Sequence, residues 1–301
     1  MKCVVIVPTL NAAADWVTFC EALKANIDPG SVVIVDSASS DETLALAHEA
    51  GFKVLNIQRH EFDHGGTRQF AVDSIVDYEI AVFLTQDALL SNAKSIQILV
   101  DSFEDPEVGA AYGRQLPRHA AGPIEIHARL FNYLAESNTR SLDTRQKLGF
   151  KSIFISNSFS AYRISALKAV GGFPRQTIFG EDTITAARLL LSGWKIAYVA
   201  DAHVYHSHSY TWRQEFRRYF DIGVLHTRES WLVDEFGGTG GEGARFVRSE
   251  LRHLWPRYWW LIPSALIRTA LKLAGYRLGK MERHLSLGLK RRLSMNRSFW
   301  K

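Results

Sequence analysis

Gly180-Glu181-Asp182-Thr183 sets two adjacent carboxylates at the opening of an amphipathic helix, directly after the apolar pair Ile178 and Phe179. Acids in that position commonly serve as caps or dipole partners, contributing up to about 1 kcal/mol. Other groups of chemical interest are spaced along the chain. Asp36 ends the apolar run Val32 to Val35, and Asp87 follows Ile80 to Leu84 in the loop Thr85-Gln86-Asp87-Ala88. A carboxylate in such a place either caps a helix or holds a divalent metal. The strand-like run Ala197 to His206 ends in a histidine, with His208 two residues on. Between these lies His60-Glu61-Phe62-Asp63-His64-Gly65-Gly66-Thr67-Arg68. Gly65 and Gly66 would let backbone amides approach a ligand phosphate, with Arg68 in the first helical turn as a fixed cation. The competing reading is a glycine turn with a solvated arginine. Ser156, Asn157 and Ser158 interrupt the otherwise apolar Ile153 to Tyr162, which suits a substrate-facing strand or turn.

The elements that must position these groups follow from periodicity. Val4 to Val7, Val32 to Val35 and Ile80 to Leu84 are short apolar runs, as strands covered on both faces are, and Val54 to Ile57 reads as a third short strand. Helical patterns separate them over Ala12 to Asn26, roughly Glu42 to Ala50, and from the His60–Arg68 loop to about Val76. This β-α-β-α-β rhythm predicts an α/β fold with a doubly wound, mostly parallel sheet, whose ligands bind beyond the carboxyl ends of the strands. Further on, the pattern predicts a helix over Ala93 to Phe103 and a strand over Ala110 to Arg114. A prolyl loop and a helix follow to Thr144, then a short helix over Ser165 to Val170. The helix opened by Glu181 shows Ile184, Ala187, Leu190 and Leu191 on one face and ends at Gly193. No Gly-x-Gly-x-x-Gly follows the first strand and no Walker motif occurs, which excludes the usual dinucleotide and P-loop classes.

The 301 residues, 47% hydrophobic, suffice for one large α/β domain with an appendage. Cys3 and Cys20 form neither a disulfide framework nor a metal spacing, and read as small core residues of a reducing compartment. With a first apolar run too short for a signal peptide, a cytoplasmic location is expected. The net charge of +5 understates a basic crowding of the last sixty residues, which suggests an anionic partner surface. A helix is expected from Trp212 to Trp231, then a mobile glycine linker at Gly237, Gly238, Gly240, Gly241 and Gly243. Beyond it, Trp255, Tyr258, Trp259 and Trp260 stand among Arg248, Arg252, Arg257, Arg268 and Lys272. Charges keep every apolar run below the roughly 20 residues that span a bilayer. The pattern fits helices lying in a membrane interface, or else packing on the domain before them.

Val5-Ile-Val-Pro-Thr-Leu-Asn11, Val33-Ile-Val-Asp-Ser-Ala-Ser-Ser-Asp41, Thr85-Gln-Asp-Ala88, Val170-Gly-Gly-Phe173, Gly-Glu-Asp-Thr and the late histidines run in the order found in inverting nucleotide-sugar glycosyltransferases of family 2, and the chain resembles that family over residues 1–211. Within it, Phe62 to Arg68 and Phe83 to Ala88 resemble the rhamnosyltransferase branch of bacterial surface polysaccharide assembly. The resemblance implies a GT-A fold with a nucleotide-binding half (1–114) and an acceptor-binding half (115–211), and leaves 212–301 as a basic, aromatic helical extension at the inner membrane face. It implies that Thr9, Asn11 and Asp36 line the base and ribose pocket, with Arg68 and Gly65 at the nucleotide end. Asp87 would bind Mg or Mn on the donor diphosphate, with His206 as the second protein ligand and His208 in reserve. Thr85 stands where the family carries the first acid of its Asp-x-Asp motif. Asp182 would be the general base, Glu181 its neighbour at the acceptor or metal edge, and Asn157 and Trp194 acceptor contacts. The expected reaction moves L-rhamnose from dTDP-β-L-rhamnose, with inversion, onto a glycan or lipid-linked acceptor in O-antigen, lipopolysaccharide or capsule synthesis, without a nucleic-acid partner. A non-catalytic nucleotide-sugar-binding or scaffold protein is the alternative.

Overall fold

A computed structural model of the chain describes residues 1–238 and 241–301. The first four apolar runs are strands β1 (Cys3–Thr9), β2 (Val32–Asp36), β3 (Lys53–Asn56) and β4 (Ile80–Leu84). They pair in parallel in the order β3-β2-β1-β4. Helices α1 (Trp16–Asn26), α2 (Thr43–Glu49) and α3 (His64–Asp73) connect them. Successive residues of β1 feed opposite faces of the sheet, as pleating requires. Val4 and Ile6 join the cluster of Phe83, Tyr162 and Ile184, while Val5 and Val7 join that of Trp16, Leu23 and Val82.

The remaining strands are β5 (Leu89–Leu90), β6 (Val108–Leu116), β7 (Asn138–Arg140), β8 (Phe159–Arg163) and β9 (Lys195–Tyr205). The sheet order is β3-β2-β1-β4-β8-β6-β9-β5, with β7 also on β9. Four strand pairings are parallel and four antiparallel, so the sheet is mixed rather than mostly parallel. A continuous apolar run marks a strand as central but carries no direction, so β8, antiparallel to both β4 and β6, could not be told from a parallel one. The short β5 and β7 also went unforeseen, the latter inside the stretch expected to be helical to Thr144.

The other helices are α4 (Ser95–Asp101), α5 (Pro123–Asn132), α6 (Arg145–Leu148), α7 (Ile164–Ala169), α8 (Glu181–Leu191), α9 (Trp212–Arg228), α10 (Ser230–Phe236), α11 (Glu242–Leu254), α12 (Ile262–Lys280) and α13 (Leu287–Leu293). On α8, Ile184, Ala187 and Leu190 are buried as expected, but Leu191 is exposed, since Ala186 and Leu189 complete the apolar face instead. Gly237, Gly238 and Gly241 join α10 to α11 and Gly243 lies in its first turn, whereas Gly240 falls outside the described residues.

Residue 212 does not begin a separate core. Phe220, Val224, Phe236 and Trp300 belong to the same buried cluster as Tyr162 and Ile184. Within the extension, a Cβ on Gly279 would stand 2.0 Å from the Phe220 carbonyl oxygen, so α12 lies against α9 closely enough to exclude any larger side chain there. No described helix is long and apolar enough to cross a membrane.

Candidate active site

Strand register assembles the first part of the site. Leu89 pairs with Tyr205 in antiparallel, which carries Asp87 past the strand ends toward His206 and His208. The Asp87 carboxylate lies 3.3 Å from His206 Nε2 and 3.8 Å from His208 Nδ1. One donor atom from each of the three residues falls within 4.8 Å of the others, the only such cluster found among the described residues. On the other side of β9, Leu116 pairs with Tyr205, which brings Gln115 beside His206. Gln115 Oε1 stands 2.9 Å from His206 Nδ1 and also accepts from Arg129. An imidazole anchored through Nδ1 keeps Nε2 aimed at the Asp87 carboxylate, and a metal bound between them would take the place of the Nε2 proton.

A carboxylate with two imidazoles is a reasonable donor set for a divalent cation, and the histidines supply what Thr85 cannot. Burial by itself raises the Asp87 carboxyl, but hydrogen bonding and attraction from His206 outweigh it and hold the group well below the usual carboxylate range. Burial and the neighbouring His206 push His208 down to about 4, leaving its ring neutral and able to ligate.

The second part comes from the N-terminus of α8. Leu84 pairs with Phe159, and the Thr85 amide donates to the Ser158 carbonyl, so the Ser156–Ser158 turn lies against the Asp87 loop. The Asn157 amide in turn donates to Asp182, whose carboxylate also accepts from the Thr183 amide at 2.7 Å. Burial and the charge of Glu181 push the Asp182 carboxyl up to about 7.

Glu181 and Arg68 face each other between α8 and α3. Both are buried, and they form a 3.0 Å ion pair. Arg68 also donates to the His64 carbonyl, so its guanidinium holds α8 against α3 rather than standing free for a nucleotide. Asn157 likewise faces inward: it donates to Glu181 and accepts from Ser160 and Tyr162. Its side chain is buried and is not among the residues that line the cavity. Burial alone raises the Glu181 carboxyl, but Arg68 and the Asn157 amide keep it below its usual range. Glu181 thus stays ionised beneath Asp182 and contributes to the upward push on it.

Replacing Arg68 with Leu would leave the Glu181 charge buried without its partner, a loss of about 3–5 kcal/mol. A fall in melting temperature on the order of 10 °C is expected, and one below about 2 °C would show that the pair does not hold α8 in place.

Close packing requires a glycine at position 65. A Cβ there would meet the Pro174 carbonyl oxygen at 1.8 Å, and the neighbouring Gly66 amide is already capped by Asp63 at 2.7 Å. The paired glycines therefore seat α3 under the loop that precedes α8.

At the carboxyl ends of β1 and β2, Asp36 is fully buried and accepts from Thr9, from the Ser39 amide and from the Ser39 hydroxyl. Asn11, exposed and at φ 51°, accepts from the Ser40 amide. Gln86 exchanges two hydrogen bonds with the Leu10 backbone, tying this loop to the Asp87 turn. The structure thus brings Thr9, Asn11 and Asp36 together at one edge. The role of Gln86 had no sequence signal beyond its place beside Asp87, and that of Gln115 only its polarity at the end of an apolar strand.

Asp182, His206 and His208 all line one cavity of about 650 Å³, closed on its far side by α9, α11 and α12. Trp194 is not among its lining residues. Half-buried, it packs beside Gly109 against the core, beyond the C-terminal end of α8.

Residues 3–220 match the sequence profile described as Glycosyltransferase like family 2. The chain is 45% identical over 302 residues to the O-antigen chain rhamnosyltransferase RfbN of Salmonella typhimurium, covering 100% of this chain and 96% of that one. It is 46% identical over 297 residues to the O-antigen chain rhamnosyltransferase WbaN of Salmonella anatum, covering 98% and 94%. Among solved structures, the mannosyltransferase PcManGT of Pyrobaculum calidifontis, in complex with GDP-Man and Mn2+, aligns with a TM-score of 0.58 at 19% identity over 99% of this chain and 84% of its own. TarS 1-349 of S. aureus aligns with a TM-score of 0.55 at 17% identity over 94% and 91%. The mixed sheet flanked by helices is the GT-A fold, and the chain belongs to glycosyltransferase family 2.

Proposed function

We propose that the protein transfers L-rhamnose from dTDP-β-L-rhamnose, with inversion, to a sugar hydroxyl of a glycan or lipid-linked acceptor in O-antigen synthesis. The observation that carries this reading is the shared cavity, with the raised carboxyl of Asp182 on one wall and the histidines of the Asp87 cluster on another. The full-length likeness to two O-antigen rhamnosyltransferases supports the choice of sugar and pathway.

Asp182 accepts the proton of the acceptor hydroxyl as its oxygen bonds to the anomeric carbon, while the bond from that carbon to the diphosphate breaks and its electron pair leaves with dTDP. Asp87, His206 and His208 would hold a divalent metal, which when bound supplies positive charge to the departing diphosphate. Two imidazoles suit Mn better than Mg, which prefers an all-oxygen shell. Glu181, Arg68 and Asn157 keep Asp182 in place, and the Thr9, Asn11 and Asp36 edge receives the nucleoside.

Incubating the protein with a panel of nucleotide sugars tests this directly. Slow hydrolysis of dTDP-β-L-rhamnose, faster with Mn than with Mg and abolished by chelator, is the expected result. Cleavage of hexose donors with the rhamnose donor ignored would remove the rhamnosyl assignment.

The extension gives the acceptor a plausible route. Trp255, Trp259 and Trp260 are 65%, 59% and 57% exposed, with Arg248, Arg252 and Arg257 exposed around them. Apolar rings with basic flanks suit the headgroup layer of an anionic bilayer. Leu261 and Ser264, which line the cavity, follow this patch directly. Changing the three tryptophans to Ser is expected to weaken binding to phosphatidylglycerol vesicles by about 10-fold or more. Failure of the unaltered protein to sediment with those vesicles would remove the membrane contact.

A further inference from the structure

The cavity has a wall that the reaction as described leaves unused. Thr9, Asn11 and Asp36 do not line it; Asp182, His206 and His208 do, and beyond them the lining continues over α9, α11 and α12, which puts that helical wall on the acceptor side of the base. Its charged lining is balanced, with four carboxylates facing four cations. That balance suits a neutral polyhydroxylated ligand better than a phosphate, which would call for an excess of cations.

Two of those carboxylates are buried on the helical wall, Glu215 of α9 and Glu250 of α11. Glu215 is partnered: Arg268 donates to it at 2.8 Å, and Lys272 lies 3.7 Å away, over the rings of Phe246 and Tyr219. Glu250 is only 2% exposed and accepts no hydrogen bond among the described residues; its Oε1 is wholly enclosed, which leaves Oε2 as the oxygen that can meet a ligand in the cavity. A carboxyl group buried without a partner is costly, and in native proteins such a group calls for an explanation. The ring faces of Phe246 and Tyr219 on the same wall are the surfaces on which the C–H side of a pyranose packs.

We propose that Glu250 reads the acceptor: its carboxyl group hydrogen-bonds a hydroxyl of the neutral sugar that presents its nucleophilic oxygen to Asp182. This rests on the glycosyl-transfer reading above and adds a specificity-determining residue on an element outside the family-matched region, which ends at residue 220.

The test uses the full-length protein, dTDP-β-L-rhamnose and a panel of octyl glycosides of hexoses and 6-deoxyhexoses, each with its monodeoxy forms. In the unaltered protein one hydroxyl deletion is expected to weaken acceptor use by about 10- to 100-fold, the range for a hydrogen bond to a charged group. Glu250→Leu, which removes the buried charge at similar volume, should raise the KM of the parent acceptor by a similar factor, about 10- to 100-fold, and treat that deoxy acceptor like its parent. Glu250→Gln should fall between the two. Hydrolysis of the donor without acceptor should stay unchanged in both variants, which also shows that they fold.

An unaltered acceptor KM, or a hydroxyl preference that survives in Glu250→Leu, overturns the proposal. So does a parallel loss of donor hydrolysis in both variants, or a panel in which no sugar accelerates donor consumption. Absence of donor hydrolysis in the unaltered protein instead counts against the glycosyl-transfer reading itself.

Discussion

Asp182→Asn is expected to lower rhamnosyl transfer by about 1000-fold, within the range that a positioned general base contributes. The amide keeps the shape of the carboxylate, and its one oxygen can still accept the shorter bond from the Thr183 amide, at the cost of the longer one from the Asn157 amide. A melting curve close to the parent's near pH 4 would then show that the loss reports proton transfer and not a collapsed site. The pH dependence gives an independent reading. With the carboxyl pushed up to about 7, the base is mostly protonated below that pH, and kcat/KM of the unaltered protein should fall there with a slope of one proton. The residual activity of the variant should lack that limb.

Stability should move in the opposite direction. The folded protein retains the Asp182 proton up to about pH 7, whereas an unfolded carboxyl releases it near its ordinary value of 3.8. Between those values stability falls as pH rises, because the native state must accept a charge it disfavours. Asp182→Asn removes that penalty. The variant should melt at about the same temperature as the parent near pH 4 and at a higher one at pH 8, measured by thermal denaturation across that range. Full activity in Asp182→Asn, or a melting difference independent of pH, would remove this carboxyl from the mechanism.

Asp87→Asn is expected to lower transfer by about 100- to 1000-fold, the scale of losing one preorganised charge-stabilising group at a leaving oxygen. Mn binding followed by electron paramagnetic resonance should weaken in parallel, which separates the metal site from the base: Asp182→Asn should leave Mn binding intact. His206→Ala should behave like Asp87→Asn, because His206 stands 3.3 Å from Asp87. Gln115→Leu should show a smaller loss of about 10-fold, since it would free His206 to turn without removing the ligand. Equal Mn affinity in Asp87→Asn and the unaltered protein would place the metal elsewhere.

The four parallel strands at one side of the sheet were legible in the sequence because each is a short apolar run closed by a polar turn. Asp87 and His206 could be paired in advance because each ends such a run. The direction of β8 was not legible, since burial on both faces writes the same apolar pattern whichever way a strand points. Nor were the partners of Arg68 and Asn157, which read as ligand contacts because both are polar residues in otherwise helical or apolar surroundings. Their burial against Glu181 depends on α3, α8 and the turn before β8 meeting in space.

By itself, then, the sequence determined which strand and helix ends deliver Asp87, Asp182 and His206, because local periodicity and turn composition act over a few residues. Only the tertiary structure decided which of those residues face the cavity and which brace the ones that do. Asp182 and Glu181 are adjacent in the chain, yet consecutive residues of a helix point about 100° apart. One therefore opens to the cavity while the other is sealed against Arg68, a difference set by what packs around them and by nothing in their own identity.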